Sequence, residues 1–252
     1  MGKRRSDVLT RDVNRRIGRA MHDYAMLADG DTVLVAVSGG VDSLVLAWLL
    51  QEWRRKAPIR YQLLAVHIDN GFAGETGPAV ARQLEHLRIP LLIEKTEFGP
   101  QAFAAEDGRS ICFHCTRQRR KRLFEIASEQ QANKIAFGHH RDDLLETFLL
   151  NLFYSGNLST MVPCLKIFDD RVSLIRPMAY LEKGEIREIA ATLGIQPVKN
   201  SCPQDSNSRR QEVRALLQSL HEKDPAIKAN IFHAMGNVRD GYLLSPTMGC
   251  GV

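Results

Sequence analysis

Val35-Ala36-Val37-Ser38-Gly39-Gly40-Val41-Asp42-Ser43 is the stretch on which the fold turns. The β-branched run over 32–37 predicts a strand, and the Leu- and Trp-rich run over 43–53 predicts a helix. Between them stands a glycine turn. Glycines let a backbone bend sharply and approach an anion closely, and the unpaired N–H groups at a helix N-terminus point toward such an anion. The hydroxyls of Ser38 and Ser43 add donors, and Asp42 is placed to cap the helix or to help hold Mg²⁺. A pyrophosphate suits this arrangement; the plainer reading is an ordinary turn with an N-cap. The Gly-Lys-Ser/Thr ending of a Walker loop is missing, which speaks against cleavage at a γ-phosphate.

Outward from this turn, strands and helices alternate. A lead-in helix is predicted over 13–26, and further strands over 61–68, 90–94, 134–138 and 172–175. Helices are predicted over 79–87, 116–128, 142–153 and 183–193, the last stopped by Gly194. The segments 74–78, 98–110 and 196–208 read as irregular, and helices over 209–221 and 225–238 close the chain. Such alternation implies parallel βαβ units, hence an α/β fold with a parallel sheet flanked by helices. The expected organisation is a helical lead-in at 1–28, a nucleotide-binding domain at 29–200, and a C-terminal loop and helices at 201–252.

Composition leaves the class unremarkable: 44% hydrophobic and 25% charged residues over 252 positions describe a globular protein with one main core. No apolar run is long enough to cross a bilayer, and the basic N-terminus is unlike a signal peptide, so no membrane association and a cytoplasmic location are expected. The net charge of +5 is modest, but five of the six residues from Arg117 to Arg122 are basic. That patch could hold nucleic-acid phosphates, and the plainer reading is a solvated helix face.

In a reducing compartment, clustered cysteines need an explanation other than disulfides. Cys112-Phe113-His114-Cys115 is a C-x-x-C whose thiolates, projecting from a tight turn, can clasp one metal or cluster. Cys202 lies in a later polar loop that a compact α/β fold can bring back. Three thiolates with no fourth suit a cluster that leaves one iron open. Zinc completed by His114 or His139, or a redox dithiol, fits the C-x-x-C equally well. Cys164 reads as small-residue packing, and Cys250 as a thiol near an exposed tail.

The loop, extended to Val35–Ser43, resembles that of the ATP pyrophosphatase superfamily. Two further stretches, from Gly138-His139-His140-Arg141-Asp142-Asp143 to Phe153-Tyr154-Ser155-Gly156 and Ile175-Arg176-Pro177-Met178-Ala179-Tyr180, resemble the tRNA 2-thiocytidine synthetases, as does Cys112-x-x-Cys115 followed by Arg117, Arg119 and Arg120. The resemblance covers roughly 17–242. It implies an adenine-nucleotide alpha-hydrolase-like (PP-loop) fold and ATP-dependent thiolation of cytidine 32 in the tRNA anticodon loop. It also implies a [4Fe-4S] cluster on Cys112, Cys115 and Cys202, Mg²⁺ as companion of ATP, a cysteine desulfurase as sulfur source, and a homodimer as an assembly common among relatives. By the same resemblance Ala36, Ser38, Gly39, Gly40, Asp42, Ser43, His67 and Gly138 hold the nucleotide, and Asp142, Asp143, Arg119 and Cys202 serve the chemistry. Val41 stands where many sulfur-transfer members carry Lys. Two alternatives are tRNA(Ile)-lysidine synthetase, which shares the loop but needs no cysteines, and a non-catalytic zinc-stabilised RNA-binding module, which needs neither loop nor acidic pair.

Overall fold

The computed structural model describes residues 8–72, 76–105, 108, 110–198, 202, 209–239 and 241–244. The chain divides into two compact units, Met1–Asp142 with Val162–Ser206, and Asp143–Met161 with Asn207–Val252.

In the first unit, β1 (Thr32–Ala36), β2 (Gln62–Asp69), β3 (Leu91–Lys95), β4 (Lys134–Ala136), β5 (Cys164–Ile167) and β6 (Val172–Ile175) form a sheet in the order β3-β2-β1-β4-β6-β5. All neighbours run parallel except β5 and β6. The parallel sheet expected from the alternation is therefore present, with one addition. β5 pairs antiparallel at the edge, in a segment read only for the packing of Cys164. It has too few residues, and too mixed an exposure pattern, to announce itself by periodicity. The hairpin joining β5 to β6 places Phe168, Asp169 and Asp170 in succession at φ 54°, 54° and 64°, a left-handed backbone that non-glycine residues rarely adopt.

Alternate residues of β1 face opposite sides of the sheet, as the pleat requires. Val33 and Val35 enter one core with α2 (Val41–Lys56), whose residues from Leu44 to Leu50 are all 2% exposed or less. This helix lies between the sheet and two others, α1 (Arg11–Asp23), which supplies Val13, Ile17, Ala20 and Met21, and α7 (Lys183–Leu193), which supplies Ile186, Ile189 and Ala190. α3 (Thr76–Leu87) adds Val80 and Leu84 to the same core. Leu34 faces the other way, into a second core with Val66, Ile68, Ile135 and, from α5 (Ile111–Glu129), Leu123, Ile126 and Ala127. A short α4 (Phe98–Phe103) lies within the stretch expected to be irregular, and α3 begins three residues earlier than its apolar pattern indicates, through Thr76-Gly77-Pro78.

The second unit contains α8 (Arg209–Lys223), α9 (Ala226–Ala234) and the body of α6 (Arg141–Ser155), with Leu145, Leu149, Val213 and Leu217 as its core. Glu146 is buried there at 3% exposure, held by Arg214 through Nε–Oε1 at 2.7 Å and Nη2–Oε2 at 3.1 Å. No described helix is long and apolar enough to cross a membrane.

Candidate active site

From β1 the chain goes to β2 and β3 on one side, and later returns as β4 on the other. The order reverses between β1 and β4. In open α/β sheets the crevice beyond the strand C-termini at such a switch point is where ligands bind. Two segments of this chain end there: Val37-Ser38-Gly39-Gly40 after β1, and Phe137-Gly138-His139-His140 after β4.

The first segment is shaped from within. Ser43 Oγ donates to the Gly40 carbonyl at 2.9 Å and accepts from the Ser38 N–H at 3.1 Å, while the Gly40 N–H donates to Ser38 Oγ at 3.3 Å. The two serines expected to contact phosphate thus also set the loop's curvature. Gly39 has φ +91°, and a Cβ there would lie 3.1 Å from both Val198 Cβ and Val80 Cγ2, so only glycine meets both demands. The Gly39 carbonyl accepts from the Val198 N–H at 3.0 Å, which ties the segment leading to Cys202 back to the loop. Gly138 answers a different need: a Cβ on it would lie 2.9 Å from Asp42 C and Ser43 N and 3.0 Å from Asp42 O. Backbone passes directly over the N-terminus of α2 at this point. Ala36, the last residue of β1, pairs with Val66 of β2.

A polar cluster borders the loop. Lys183, the first residue of α7, places Nζ 2.5 Å and 2.6 Å from the two Asp42 carboxylate oxygens, and its backbone N–H donates to Asp142 Oδ2 at 2.8 Å. His140, buried at 3% exposure, stands between the carboxylates, Nε2 3.9 Å from Asp42 Oδ1 and Nδ1 3.7 Å from Asp142 Oδ2. Asp42 and Asp142 therefore share one neighbourhood; Asp143 is the first residue of the second unit. Lys183 and His140 were missed as site residues. The signal for the lysine was Val41: a polyphosphate site lacking the loop's cation must draw one from elsewhere, and α7 delivers it. Arg176, 7% exposed, donates through Nε to His139 Nδ1 at 3.2 Å and through Nη1 to the Val162 carbonyl at 2.5 Å.

Cys112 and Cys115 stand in the first turns of α5. Ser110 caps α5, its Oγ accepting the Phe113 N–H at 3.2 Å, so the helix begins at Ile111 rather than after the C-x-x-C. The tight turn expected for Cys112 and Cys115 is instead the first turns of a helix. The hydroxyl cap outweighs the poor helix propensity of that segment. Positions i and i+3 share a helix face, and the positive end of the dipole favours thiolate there. Burial pushes the Cys115 thiol up; the Arg119 guanidinium opposes that, and the sulfurs of Cys202 and Cys112 reinforce it. Cys202, 87 positions later in the chain, therefore lies within electrostatic range of Cys115. Among the described residues no group of three or more side chains could hold a single metal ion.

Arg119, one turn beyond Cys115, has its Nε sealed from solvent without a hydrogen-bond partner, and burial works against its charge. His67, near the end of β2, is 3% exposed; its Nδ1 lies 2.8 Å from the Val37 carbonyl, and burial pulls its pKa below the ordinary value, the Arg119 cation adding to the effect while the Val37 contact and Asp69 work against it. Arg119 thus contributes electrostatically at both His67 and Cys115. The rest of the basic stretch is less free than its sequence suggests: Arg122 is held by Glu94, Glu125 and Glu129 at 2.9, 3.3 and 2.7 Å, and Lys121 lies 3.8 Å from Glu125. Arg117 and Arg120 remain exposed.

Residues 9–220 match the family model of the PP-loop domain. The chain is 36% identical over 245 residues to a tRNA-cytidine(32) 2-sulfurtransferase of Syntrophotalea carbinolica, covering 96% of this chain and 95% of that one. It is 36% identical over 235 residues to one of Geobacter sulfurreducens, with 92% and 91% covered. Among solved structures it is similar to the U34-tRNA thiolase NcsA from Methanococcus maripaludis with its [4Fe-4S] cluster, at TM-score 0.73 and 24% identity over 89% of this chain and 77% of that one. It is also similar to an NH3-dependent NAD synthetase from Campylobacter jejuni, at TM-score 0.52 and 16% identity over 92% and 97%. Both likenesses carry the fold.

Proposed function

The chain belongs to the PP-loop family and, within it, to the tRNA-cytidine(32) 2-sulfurtransferases, and from that premise we propose that it replaces the C2 oxygen of cytidine 32 of tRNA with sulfur at the expense of ATP. The observation that carries the reading is the glycine-turned loop at the switch point of the sheet, tied through the Gly39 carbonyl to the Val198 N–H at 3.0 Å, in a chain that also sets Cys112 and Cys115 one turn apart at the start of α5.

A pyrimidine oxygen is a poor leaving group. Attack of the cytidine O2 on the α-phosphorus of ATP breaks the α–β P–O bond, releases pyrophosphate and leaves AMP on O2. A sulfur nucleophile then forms a bond to C2, the C2–O bond breaks, and AMP departs with the oxygen. Ser38, Gly39, Gly40 and Ser43 cradle the phosphates with backbone N–H groups and hydroxyls, while Ala36, His67 and Gly138 shape the crevice around the nucleotide. Asp42 and Asp142 would hold Mg²⁺, which would supply positive charge to the phosphates and is an ion that takes few carboxylates from protein; Asp143 would be the alternative ligand or proton carrier. The Lys183 ammonium neutralises phosphate charge, and Arg119 stabilises the charge that develops as pyrophosphate or AMP leaves.

Cys112, Cys115 and Cys202 fit a [4Fe-4S] cluster by their donor chemistry and by the buried cation beside them, which ionised thiolates would neutralise. When bound, that cluster supplies the sulfur-carrying iron that no protein thiolate occupies. Exposed Arg117 and Arg120 meet tRNA phosphates, and an unstacked anticodon-loop base is the kind of RNA target a protein can read. A cysteine desulfurase as sulfur source, a homodimer and a cytoplasmic location complete the proposal.

The test is nucleoside analysis of tRNA from a strain lacking the gene. Loss of 2-thiocytidine, restored by the wild-type chain and not by Cys202→Ala, is expected; an unchanged thionucleoside profile removes the substrate assignment.

A further inference from the structure

One residue, Lys183, already engages both carboxylates assigned to Mg²⁺. It grips Asp42 through its side chain, with Nζ 2.5 Å and 2.6 Å from the two oxygens, and Asp142 through its backbone N–H, which donates to Oδ2 at 2.8 Å. The backbone half of this grip is fixed. Lys183 is the first residue of α7, and the capping box of Glu182 and Glu185 sets the start of that helix. The side-chain half is free to change. The ammonium rides on a flexible stem, and the Lys183 and Asp42 side chains are 33% and 28% exposed, so the contact can open while the backbone stays in place. The neighbouring Arg141 guanidinium is committed to Glu182 at 2.9 Å.

We propose that Lys183 competes with the divalent cation for Asp42 and that the polyphosphate of the nucleotide relieves this competition, so that the chain takes up the metal together with ATP rather than ahead of it. An ammonium and a divalent ion drawn to the same carboxylate repel each other, and here the ammonium covers both oxygens. Asp42 lies in the first turn of α2, at the helix end that favours anions. A polyphosphate there offers the ammonium a partner of higher charge a short swing away. Transfer of the ammonium to a phosphate oxygen leaves both Asp42 oxygens available and leaves the Asp142 contact, which is made by backbone, undisturbed. The inference rests on the reading of Asp42 as a Mg²⁺ ligand beside ATP.

Two arms test it. In the first, Mn²⁺ alone is titrated against the protein in the absence of nucleotide, and the free ion is read by electron paramagnetic resonance. At low salt Lys183→Met should bind Mn²⁺ about 10-fold more tightly than the wild type, Lys183→Arg no more tightly than the wild type, and Lys183→Met combined with Asp42→Asn should lose the gain. Equal affinity in the wild type and Lys183→Met overturns the proposal, undetectable binding in both included, as does a gain that survives Asp42→Asn. In the second arm, ATP is titrated by calorimetry in the presence of a chelator. Asp42→Asn, which keeps the shape of the side chain and frees the ammonium, should bind metal-free ATP about 10-fold more tightly than the wild type. Affinity equal to or below that of the wild type overturns the proposal, and this arm decides it if Lys183→Met fails to fold. If the wild type binds no ATP with or without metal, the nucleotide reading has failed, and the Mn²⁺ arm, which contains no nucleotide, decides the proposal alone.

Discussion

Replacing Gly138 by alanine adds one carbon at the point where the segment after β4 crosses the first turn of α2. The new Cβ would stand 2.9 Å from Asp42 C and Ser43 N and 3.0 Å from Asp42 O. All three are backbone atoms and cannot rotate away. A relaxed contact needs some half an ångström more, so either the helix N-terminus or the segment after β4 must move by that amount. Overpacking of this kind costs about 1–3 kcal/mol, which for a chain of this length lowers Tm by roughly 3–10 °C. The same displacement misaims the N–H groups at Gly40 to Ser43. Losing one charge-assisted bond to phosphate weakens ATP binding by about 10- to 100-fold. Gly184→Ala is the matched control. Gly184 lies in α7 at negative φ, and a Cβ there meets nothing within 4 Å, so this variant should gain about 0.5 kcal/mol. Thermal melting and calorimetric ATP titration of both variants provide the assay. A Gly138→Ala protein that melts and binds ATP as the wild type does would refute the close approach and, with it, the placement of the nucleotide.

Lys183→Met should raise KM for ATP by about tenfold, with the deficit growing at low salt, because the cation that stands in for a loop lysine is gone; unchanged salt dependence in steady-state kinetics counts against that role. Cys202→Ala should lose bound iron and its visible absorbance on anaerobic purification while binding ATP normally, and equal iron content in the variant contradicts the three-thiolate site. Asp169→Gly should stabilise the chain by about 1 kcal/mol in urea unfolding, since glycine adopts φ 54° without strain. The His67 imidazole, held neutral in the fold below its ordinary pKa, gives a pH dependence of stability. As pH falls through about 6.5 the unfolded chain takes up a proton that the folded chain refuses, so stability declines with a slope of up to about 1.4 kcal/mol per pH unit. His67→Phe should flatten that acid limb, and an unchanged limb in denaturant melts means another group governs it.

How far the sequence reveals this molecule depends on how local each cause is. The turn at Ser38 to Ser43 is legible because its glycines, its hydroxyls and the flanking periodicities all act within a few residues. β6 and α7 fall at the residues expected, 172–175 and 183–193, since an apolar pattern with a glycine stop is equally local. β5 is not legible, because an edge strand of four residues takes its identity from the partner it pairs with. The start of α5 was placed five residues late: the Ser110 cap is a single side chain, outvoted in sequence by unfavourable helix formers. Lys183 and His140 escaped for another reason. Their role comes from sitting beside Asp42, 141 positions before Lys183 in the chain, and only the topology of the sheet brings those residues together. Of the cysteine expectations, Cys250 lies outside the described residues, as does most of the loop around Cys202.

The α5 helix is anchored in the core by Leu123, Ile126 and Ala127 and carries Cys112 and Cys115 two to three turns upstream. A helix transmits rotation rigidly: each added or deleted residue swings everything beyond it by about 100°. An insertion of one residue between Cys115 and Leu123 would therefore leave the fold standing and point both sulfurs at solvent. Length drift among related chains should accumulate in the connections on either side of α5, while the seven residues from Thr116 to Arg122 stay fixed in number, whatever side chains occupy them.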